Sequence, residues 1–306
     1  MTASNPVRDE SPPRPGGPRP LDGAHLDSTA QLMNAITSRL GSQLGLVAPN
    51  GARRPAPPAL VLVAHGSRDP RALSTVRTLI ERVRELRPHL PVRLGHIELN
   101  EPLLPDTLTA LHDEGTGEAV LVPLLLSRGY HVRRDIPEAA AAAPAPLRLR
   151  VAAPLGPHPL LVETLYARLV EAGWPAHPSE ADRRAAGVVL AAAGSRDPDA
   201  AVDTRRTAHL LAERLGVPVL TAYASAAAPT VPAAVRAMTA RGRHRIAVAS
   251  YFTAPGRFAT ECAAAAPWIT AEPLGDHPAM ARLVLHRYDR ALATPEPAAE
   301  LVLATA

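Results

Sequence analysis

The sequence predicts an α/β protein made of two homologous, doubly wound parallel-sheet domains that face each other across a cleft. Short apolar runs alternate with segments whose apolar residues recur at helical spacing, a pattern typical of parallel sheets covered by helices. Several motifs also occur twice in the same order, which indicates a duplication. The 306 residues are enough for two domains of ordinary size, and a hydrophobic content of 46 % supports a packed core.

The predicted elements of the first copy follow one another from residue 60 onward. A short apolar run at 60–64, closed by Gly66, is typical of a buried parallel strand, and the apolar residues after it recur at helical spacing. The predicted order is a strand at 60–64, a helix ending near residue 88, a strand at 92–99, a helix after residue 105, a strand at 119–126, a helix from about residue 135, a strand at 147–152 and a helix after residue 159.

The chain repeats its own motifs about 120 to 130 residues further on. VLVAHGSRDP at 61–70 matches VLAAAGSRDP at 189–198, and PLGPHP at 154–159 matches PLGDHP at 273–278. Because both pairs keep the same order, the sequence indicates two homologous domains. The histidine of the second motif is present in both copies, so we expect it to shape the turn into the last helix of each copy.

The two copies together set the predicted domain boundaries. The first domain covers 59–175 and the second covers 187–292, and a polar stretch that contains prolines joins them. Residues 1–58 are predicted to be a proline-rich, largely disordered extension, and residues 293–306 a tail. One short helix is predicted within the extension from apolar residues at helical spacing, namely Leu32, Met33, Ile36, Leu40 and Leu44.

The composition excludes several classes of chemistry. All 33 basic residues are Arg, so the chain has no lysine for a Schiff base or a phosphate-binding loop. Its single cysteine, Cys262, excludes an intrachain disulfide and a cysteine-ligated zinc or iron–sulfur site. The net charge of +4 gives no support for a nucleic-acid partner, and no apolar run reaches the roughly 18 residues of a membrane helix. We therefore expect a cytoplasmic protein without a membrane or nucleic-acid partner.

Three side chains that bind metals or move protons occur only in the first copy. His65 follows the first predicted strand, Glu98 ends the second, and His131 follows the third. Their counterparts in the second copy are Ala193, Ser225 and Phe258. Ligands bind outside the carboxyl ends of parallel strands, and neighbouring strands lie about 4.8 Å apart, so these three side chains can meet around one ion. Two imidazoles and a carboxylate suit a divalent first-row metal, which makes these residues the predicted metal and catalytic site.

Polar residues around this predicted site are candidates for substrate binding. Four arginines flank it and are suited to pair with substrate carboxylates, although a solvated basic rim is the alternative. These arginines are Arg68, Arg128, Arg133 and Arg134. Ser67, in the repeated Gly-Ser pair, is predicted either to bind an anionic group at a helix N-terminus or to form a tight turn.

Four motifs in order resemble those of the sirohydrochlorin chelatases, the class II chelatases. The motifs are VAHGSRDP, IELNEP, VPLLLSRGYHVRRDIP and PLGPHP, and the resemblance extends over residues 60–292. It implies a two-domain enzyme that inserts Fe²⁺ or Co²⁺ into sirohydrochlorin without ATP, in siroheme or cobalamin biosynthesis. It also implies that His65 and His131 bind the metal and that Glu98 is their acidic partner. Tyr130 stands where many relatives have glycine, so it is expected to alter the substrate cavity.

The resemblance also implies the ligands and partners. We expect no cofactor beyond the substrate metal, Fe²⁺ or Co²⁺, and no partner beyond sirohydrochlorin and that ion, in a monomer or homodimer. His65 and His131 would hold the metal and pass it to the ring, while Glu98 would complete the coordination or accept a proton. One alternative is a non-catalytic carrier of metal or tetrapyrrole. Another is a phosphate-binding α/β module that uses the GSRDP loops of both copies equally.

Overall fold

The first copy forms a four-stranded parallel sheet. The computed structural model describes residues 57–294, and this sheet has the strand order β2-β1-β3-β4. Its strands are β1 (Ala59–Ala64), β2 (Val92–His96), β3 (Glu118–Pro123) and β4 (Arg148–Val151). Its helices are α1 (Pro70–Leu86), α2 (Leu104–Asp113), α3 (Tyr130–Arg133), α4 (Asp135–Ala141) and α5 (Pro159–Glu171). β1 and β3 are short, apolar and almost entirely buried, as expected for strands covered on both faces, whereas β4, at the edge of the sheet, is partly exposed and contains two arginines.

The second copy forms a three-stranded parallel sheet with the order β6-β5-β7. Its strands are β5 (Ala186–Ala192), β6 (Val219–Tyr223) and β7 (Arg245–Tyr251). The helices that belong to this part of the chain are α6 (Glu180–Ala185), α7 (Pro198–Leu215), α8 (Val231–Thr239), α9 (Arg257–Ala263) and α10 (Pro278–Ala293). In place of a counterpart of β4, this sheet has a single parallel bridge between Val248 and Thr270.

Both repeated motifs begin a helix with the same capping geometry. The carboxylates of Asp69 and Asp197 accept a hydrogen bond from the backbone two residues later, at 2.9 Å in each copy, and a proline occupies the next position. The imidazoles of His158 and His277 likewise accept from the backbone N–H two residues on, at 3.1 and 3.2 Å. These two histidines therefore shape the turns into α5 and α10, as the sequence predicts.

Several predicted boundaries differ from the structure. β2 ends at His96, because the chain turns at Leu99, which has a positive φ of 67°. The stretch predicted to join the domains contains the short helix α6, which Ser179 and Asp182 begin with a reciprocal capping box. The predicted extension up to residue 56, with its short helix, and the tail from residue 295 lie outside the described residues.

The last helix of each copy packs on the sheet of the other copy. α5, from the first copy, contacts α7 and β7, while α10, from the second, contacts α1, β3 and β4. One continuous cluster of buried side chains consequently includes residues of both sheets, from Leu60 in β1 to Val188 in β5 and Tyr288 in α10. The two sheet-bearing lobes thus share one core. Within residues 57–294, no helix is long and apolar enough to cross a membrane.

Candidate metal centre

The structure brings the two predicted metal-binding histidines together. His65 directly follows the central strand β1, and His131 lies in the short helix α3 beyond the neighbouring strand β3. Their ring centroids are 4.7 Å apart and their planes are almost perpendicular, at 88°. Both side chains remain partly exposed, at 42 % for His65 and 34 % for His131. Two accessible imidazoles at this separation can share one ion.

Glu98 lies beside this pair but is not bonded to it. Its Oε1 atom is 3.6 Å from Nδ1 of His65, which is longer than a hydrogen bond, and about half of its side chain is exposed. The backbone fixes this proximity, because the N–H of Glu98 donates to the carbonyl of His65 at 3.0 Å. Within residues 57–294, no three His, Cys, Asp or Glu side chains form a preassembled metal-ligand group. The arrangement is therefore a histidine pair with a nearby carboxylate.

Gly66 allows the ends of β1 and β2 to approach each other this closely. Its φ is +101°, and a Cβ atom at this position would lie 1.8 Å from the carbonyl oxygen of Glu98. Only glycine adopts this backbone conformation without strain and leaves room for that oxygen. Asn100 supports the same turn, since its side-chain oxygen accepts from the backbone N–H of Ser67 at 2.6 Å.

Asp135 is a functional candidate that the sequence analysis missed. Its carboxylate bonds Nδ1 of His131 at 2.5 Å. Because an ionised carboxylate only accepts hydrogen bonds, this contact places the proton of the neutral imidazole on Nδ1 and leaves the lone pair of Nε2 free for a metal. The spacing of four residues between histidine and aspartate was the available signal. It was missed because the chain between them was not predicted to be helical.

Two cavities open beside His65, and the smaller one also reaches His131. The smaller has a volume of about 400 Å³ and is lined by His65, Tyr130 and His131, while the larger, of about 1220 Å³, is lined by His65, Glu98 and Arg68. Residues of the second copy, including Phe258, line both cavities. The histidine pair thus lies where the two lobes meet, with room on more than one side for a large ligand.

The predicted substrate-binding residues fall into two groups. Arg68 and Ser67 line the larger cavity, and Arg68 makes no side-chain hydrogen bond or ion pair with another described residue. Arg134 is exposed and lies 3.9 Å from Glu138. Arg128 differs from these residues, because its guanidinium donates to the carboxylate of Asp203 at 2.7 and 3.0 Å.

Arg133 is also paired with the second lobe. It forms an ion pair with Asp199 and lies 3.4 Å from Asp197, and both carboxylates belong to the start of α7. Arg128 and Arg133 were predicted to bind substrate carboxylates, whereas the structure shows them bound to carboxylates of the protein. Local sequence patterns do not reveal this pairing, because the partners are more than 60 residues away along the chain.

The second copy keeps the backbone of the site and lacks its functional groups. The N–H of Ser225 donates to the carbonyl of Ala193 at 2.9 Å, as Glu98 does to His65. A Cβ atom on Gly194 would lie 1.8 Å from the carbonyl oxygen of Ser225, which repeats the close approach seen at Gly66. With alanine, serine and phenylalanine at the three positions, this copy has no comparable set of ligands.

Comparison with known proteins identifies the family of this chain. The model of the CbiX family matches residues 59–172 and again residues 187–291. The chain belongs to the CbiX family. Each of the two CbiX matches covers one lobe, so the family model detects the same duplication that the repeated motifs indicate.

Individual relatives of this CbiX protein are similar over part of their length. The sirohydrochlorin cobaltochelatase of Methanococcus aeolicus is 39 % identical over 80 residues, which are 26 % of this chain and 56 % of the relative. The sirohydrochlorin ferrochelatase of Bacillus subtilis is 31 % identical over 166 residues, which are 52 % of this chain and 59 % of the relative. The chain thus matches somewhat more than half the length of these two relatives.

A solved structure supports the same fold. SirB from Bacillus subtilis with Fe³⁺ superposes with a TM-score of 0.62 at 25 % identity, over 77 % of this chain and 95 % of that structure. The predicted fold class, with two homologous parallel-sheet lobes, is therefore confirmed for this CbiX protein.

Proposed function

We propose that this protein is a sirohydrochlorin chelatase that inserts Fe²⁺ or Co²⁺ into sirohydrochlorin without ATP, in siroheme or cobalamin biosynthesis. The observation that carries the proposal is the pair of imidazoles of His65 and His131, whose ring centroids are 4.7 Å apart at a cavity that both residues line, beside a larger cavity that His65 also lines. The names of the relatives, which include a cobaltochelatase and a ferrochelatase of sirohydrochlorin, support the same substrate. No cofactor beyond the substrate metal is proposed.

In this proposal the histidine pair holds the metal loosely enough to release it. Asp135 keeps the proton of His131 on Nδ1, so that Nε2 binds the ion, and His65 supplies the second nitrogen. Two protein ligands leave the remaining coordination positions to water or to the incoming nitrogen atoms of the ring. The metal can therefore pass from the imidazoles to the ring without first returning to solution.

The groups beside the metal can accept the protons that the reaction releases. Two pyrrole N–H bonds break, two new bonds form between those nitrogens and the metal, and the electron pairs stay on nitrogen. Two protons must leave. An imidazole that has given up the metal accepts one, because imidazole changes its charge near physiological pH. Glu98, half-exposed and 3.6 Å from His65, is placed to accept the other and to release it to water.

The larger cavity is the proposed binding place for the carboxylates of the tetrapyrrole. Arg68 and Ser67 line it, and Tyr130 and Arg134 are exposed near the histidine pair. Arg128 and Arg133 are left out of the proposed substrate contacts, because protein carboxylates already occupy their guanidinium groups. We keep the expectation of a cytoplasmic monomer or homodimer without nucleic-acid or membrane partners.

Substitution of each histidine by alanine tests the proposal. His65→Ala and His131→Ala should reduce metal insertion to the uncatalysed rate, measured under anaerobic conditions from the absorbance change of sirohydrochlorin with Co²⁺ or Fe²⁺. His209→Ala is the matched control, since His209 is an exposed histidine on α7 that, within the described residues, pairs with Glu213 alone. It should keep full activity.

The same assay separates the alternatives. A carrier would bind metal and sirohydrochlorin but would not exceed the uncatalysed rate even as the wild-type protein. A phosphate-binding module would not respond to the loss of His131. Near-normal insertion by His131→Ala would contradict the proposed mechanism.

A further inference from the structure

The short helix that carries His131 is not fixed by its own packing. α3 has only four residues, and none of them is buried. Its N-cap is Gly129, which has no side chain that could accept a hydrogen bond from the first turn. A metal ligand on such a helix needs other contacts to hold its position, because a displacement of about 1 Å can cost two orders of magnitude in rate.

The second lobe supplies these contacts on the N-terminal side of His131. The carboxylate of Asp203, on α7, accepts three hydrogen bonds from Arg128, one from the backbone N–H at 2.9 Å and two from the guanidinium at 2.7 and 3.0 Å. Asp203 is only 3 % exposed. Two residues earlier, the carbonyl of Leu126 accepts a hydrogen bond from the buried phenol of Tyr251 at 3.0 Å.

The second lobe also contacts the residues on the C-terminal side of His131. Arg133, two residues after His131, pairs with Asp199 and lies 3.4 Å from Asp197. The segment 126–133 is thus attached to the second lobe both before and after its metal ligand. Asp203 makes the attachment with the most hydrogen bonds, and both Asp203 and Tyr251 are only 3 % exposed.

The contact between Asp203 and Arg128 has no counterpart between the matching residues of the other copies of these motifs. Counted from the aligned GSRDP motifs, the residue in α1 that corresponds to Asp203 is Thr75, whose hydroxyl donates to the carbonyl of Arg71 within its own helix. Counted from the aligned Gly129 and Gly256, the residue that corresponds to Arg128 is Pro255, which has neither a guanidinium nor a backbone N–H. A reciprocal contact of the same kind, between Thr75 and Pro255, therefore cannot form.

We infer that Asp203 is a positioning residue for the reaction, which acts through Arg128 to hold His131 where it can bind the metal together with His65. The inference rests on the proposed function, because it assigns the second lobe a task in that reaction. The lobe that lacks the metal ligands then serves as the support for one of them. This explains why a buried carboxylate faces the first lobe at this place.

The metal affinity of the isolated protein tests this inference directly. Asp203→Asn keeps the size of the side chain and removes its charge, and it should weaken Co²⁺ binding by roughly 10- to 100-fold, the usual effect of losing a residue that orients a metal ligand. Co²⁺ binding is measured by spectroscopic titration of the full chain. The KM for sirohydrochlorin should stay unchanged while kcat falls, since Asp203 acts on His131 and not on the tetrapyrrole.

Two further variants make the result specific. Arg128→Gln removes the two guanidinium hydrogen bonds to Asp203 and leaves the one from the backbone N–H; because the Arg128 side chain is 45 % exposed, this variant tests the inference even where Asp203→Asn is poorly folded. The double variant should bind Co²⁺ about as weakly as the weaker-binding single variant, because both changes break the same side-chain contact between Asp203 and Arg128. The control is Asp289→Asn, which removes another ion pair between the copies, the one with Arg87, and should leave Co²⁺ binding unchanged.

The outcomes separate this inference from the proposed function. Wild-type Co²⁺ binding by folded Asp203→Asn or Arg128→Gln would overturn the positioning role, as would an equal loss in Asp289→Asn. A wild-type protein that binds Co²⁺ but never inserts it would overturn the chelatase proposal. In that case the Co²⁺ affinities of the variants would still decide whether Asp203 positions His131.

Discussion

Replacing Gly66 by alanine tests whether the close approach of two strand ends places His65 beside Glu98. The added Cβ atom would lie 1.8 Å from the carbonyl oxygen of Glu98, far inside van der Waals contact, and the φ of +101° disfavours any side chain. The backbone of Glu98 must therefore move away. Because the same backbone carries the carboxylate next to His65, the geometry of the site changes with it.

The size of the effect follows from these two causes. A side chain in this backbone conformation costs about 1–3 kcal/mol. Overpacking in a tight contact costs about 1–3 kcal/mol more. Taken together, these costs predict a loss of stability of roughly 2–6 kcal/mol and a fall in Tm of roughly 5–20 °C. The displacement of Glu98 by about 1 Å should also lower kcat/KM by about 100-fold, even at temperatures where the variant is folded.

The second copy provides a matched control. Gly194 has a φ of +92°, and its added Cβ atom would lie 1.8 Å from the carbonyl oxygen of Ser225, so Gly194→Ala should lose a similar amount of stability. No proposed metal ligand sits on that turn, and activity below the Tm should stay close to that of the wild type. Thermal unfolding and anaerobic metal insertion measure the two effects separately. Equal activities for the two folded variants would refute the reasoning.

Three more predictions address single side chains. Asp135→Asn should weaken Co²⁺ binding by roughly 10- to 100-fold in a spectroscopic titration, because it loosens the orientation of His131. Arg68→Gln should raise the KM for sirohydrochlorin by roughly tenfold or more with little change in kcat, as expected for the loss of one charged hydrogen bond to a substrate carboxylate. Burial, with a further contribution from Arg287, lowers the pKa of His158 from 6.5 to about 4. Between these values the unfolded chain takes up a proton that the folded chain does not, so the stability that His158 contributes at neutral pH is lost as the pH falls from about 6.5 to about 4. Urea unfolding across this range should show a weaker pH dependence for His158→Asn, which keeps a capping side chain, and an unchanged dependence would contradict the assignment.

The sequence predicts those features of the fold that depend on local patterns. The apolar runs locate the strands, and the GSRDP and PLGxHP motifs locate the starts of α1, α5, α7 and α10, because capping residues and prolines act within a few positions of themselves. The comparison of the two copies also identifies His65, Glu98 and His131, which the structure brings together.

Contacts between distant parts of the chain could not be predicted in this way. The apolar stripe of α10 shows that one face is buried, but not that it is buried against β3 and β4 of the other copy. For the same reason Arg128 has the sequence pattern of a substrate-binding arginine, while its partner Asp203 lies 75 residues further along the chain. Asp135 was close enough in sequence to be found, but the helical turn that brings it to His131 was not predicted.

The exchange of the last helices bears on how the protein matures during synthesis. α10 covers part of the sheet whose strands β1 and β3 lead to His65 and His131, and it lies about 150 residues after His131. During synthesis, both histidines therefore emerge from the ribosomal exit tunnel long before α10, the helix that completes their lobe. The first lobe therefore completes its fold only after the second lobe has been synthesised. A chain truncated before residue 278 would leave an apolar sheet face uncovered and prone to aggregation.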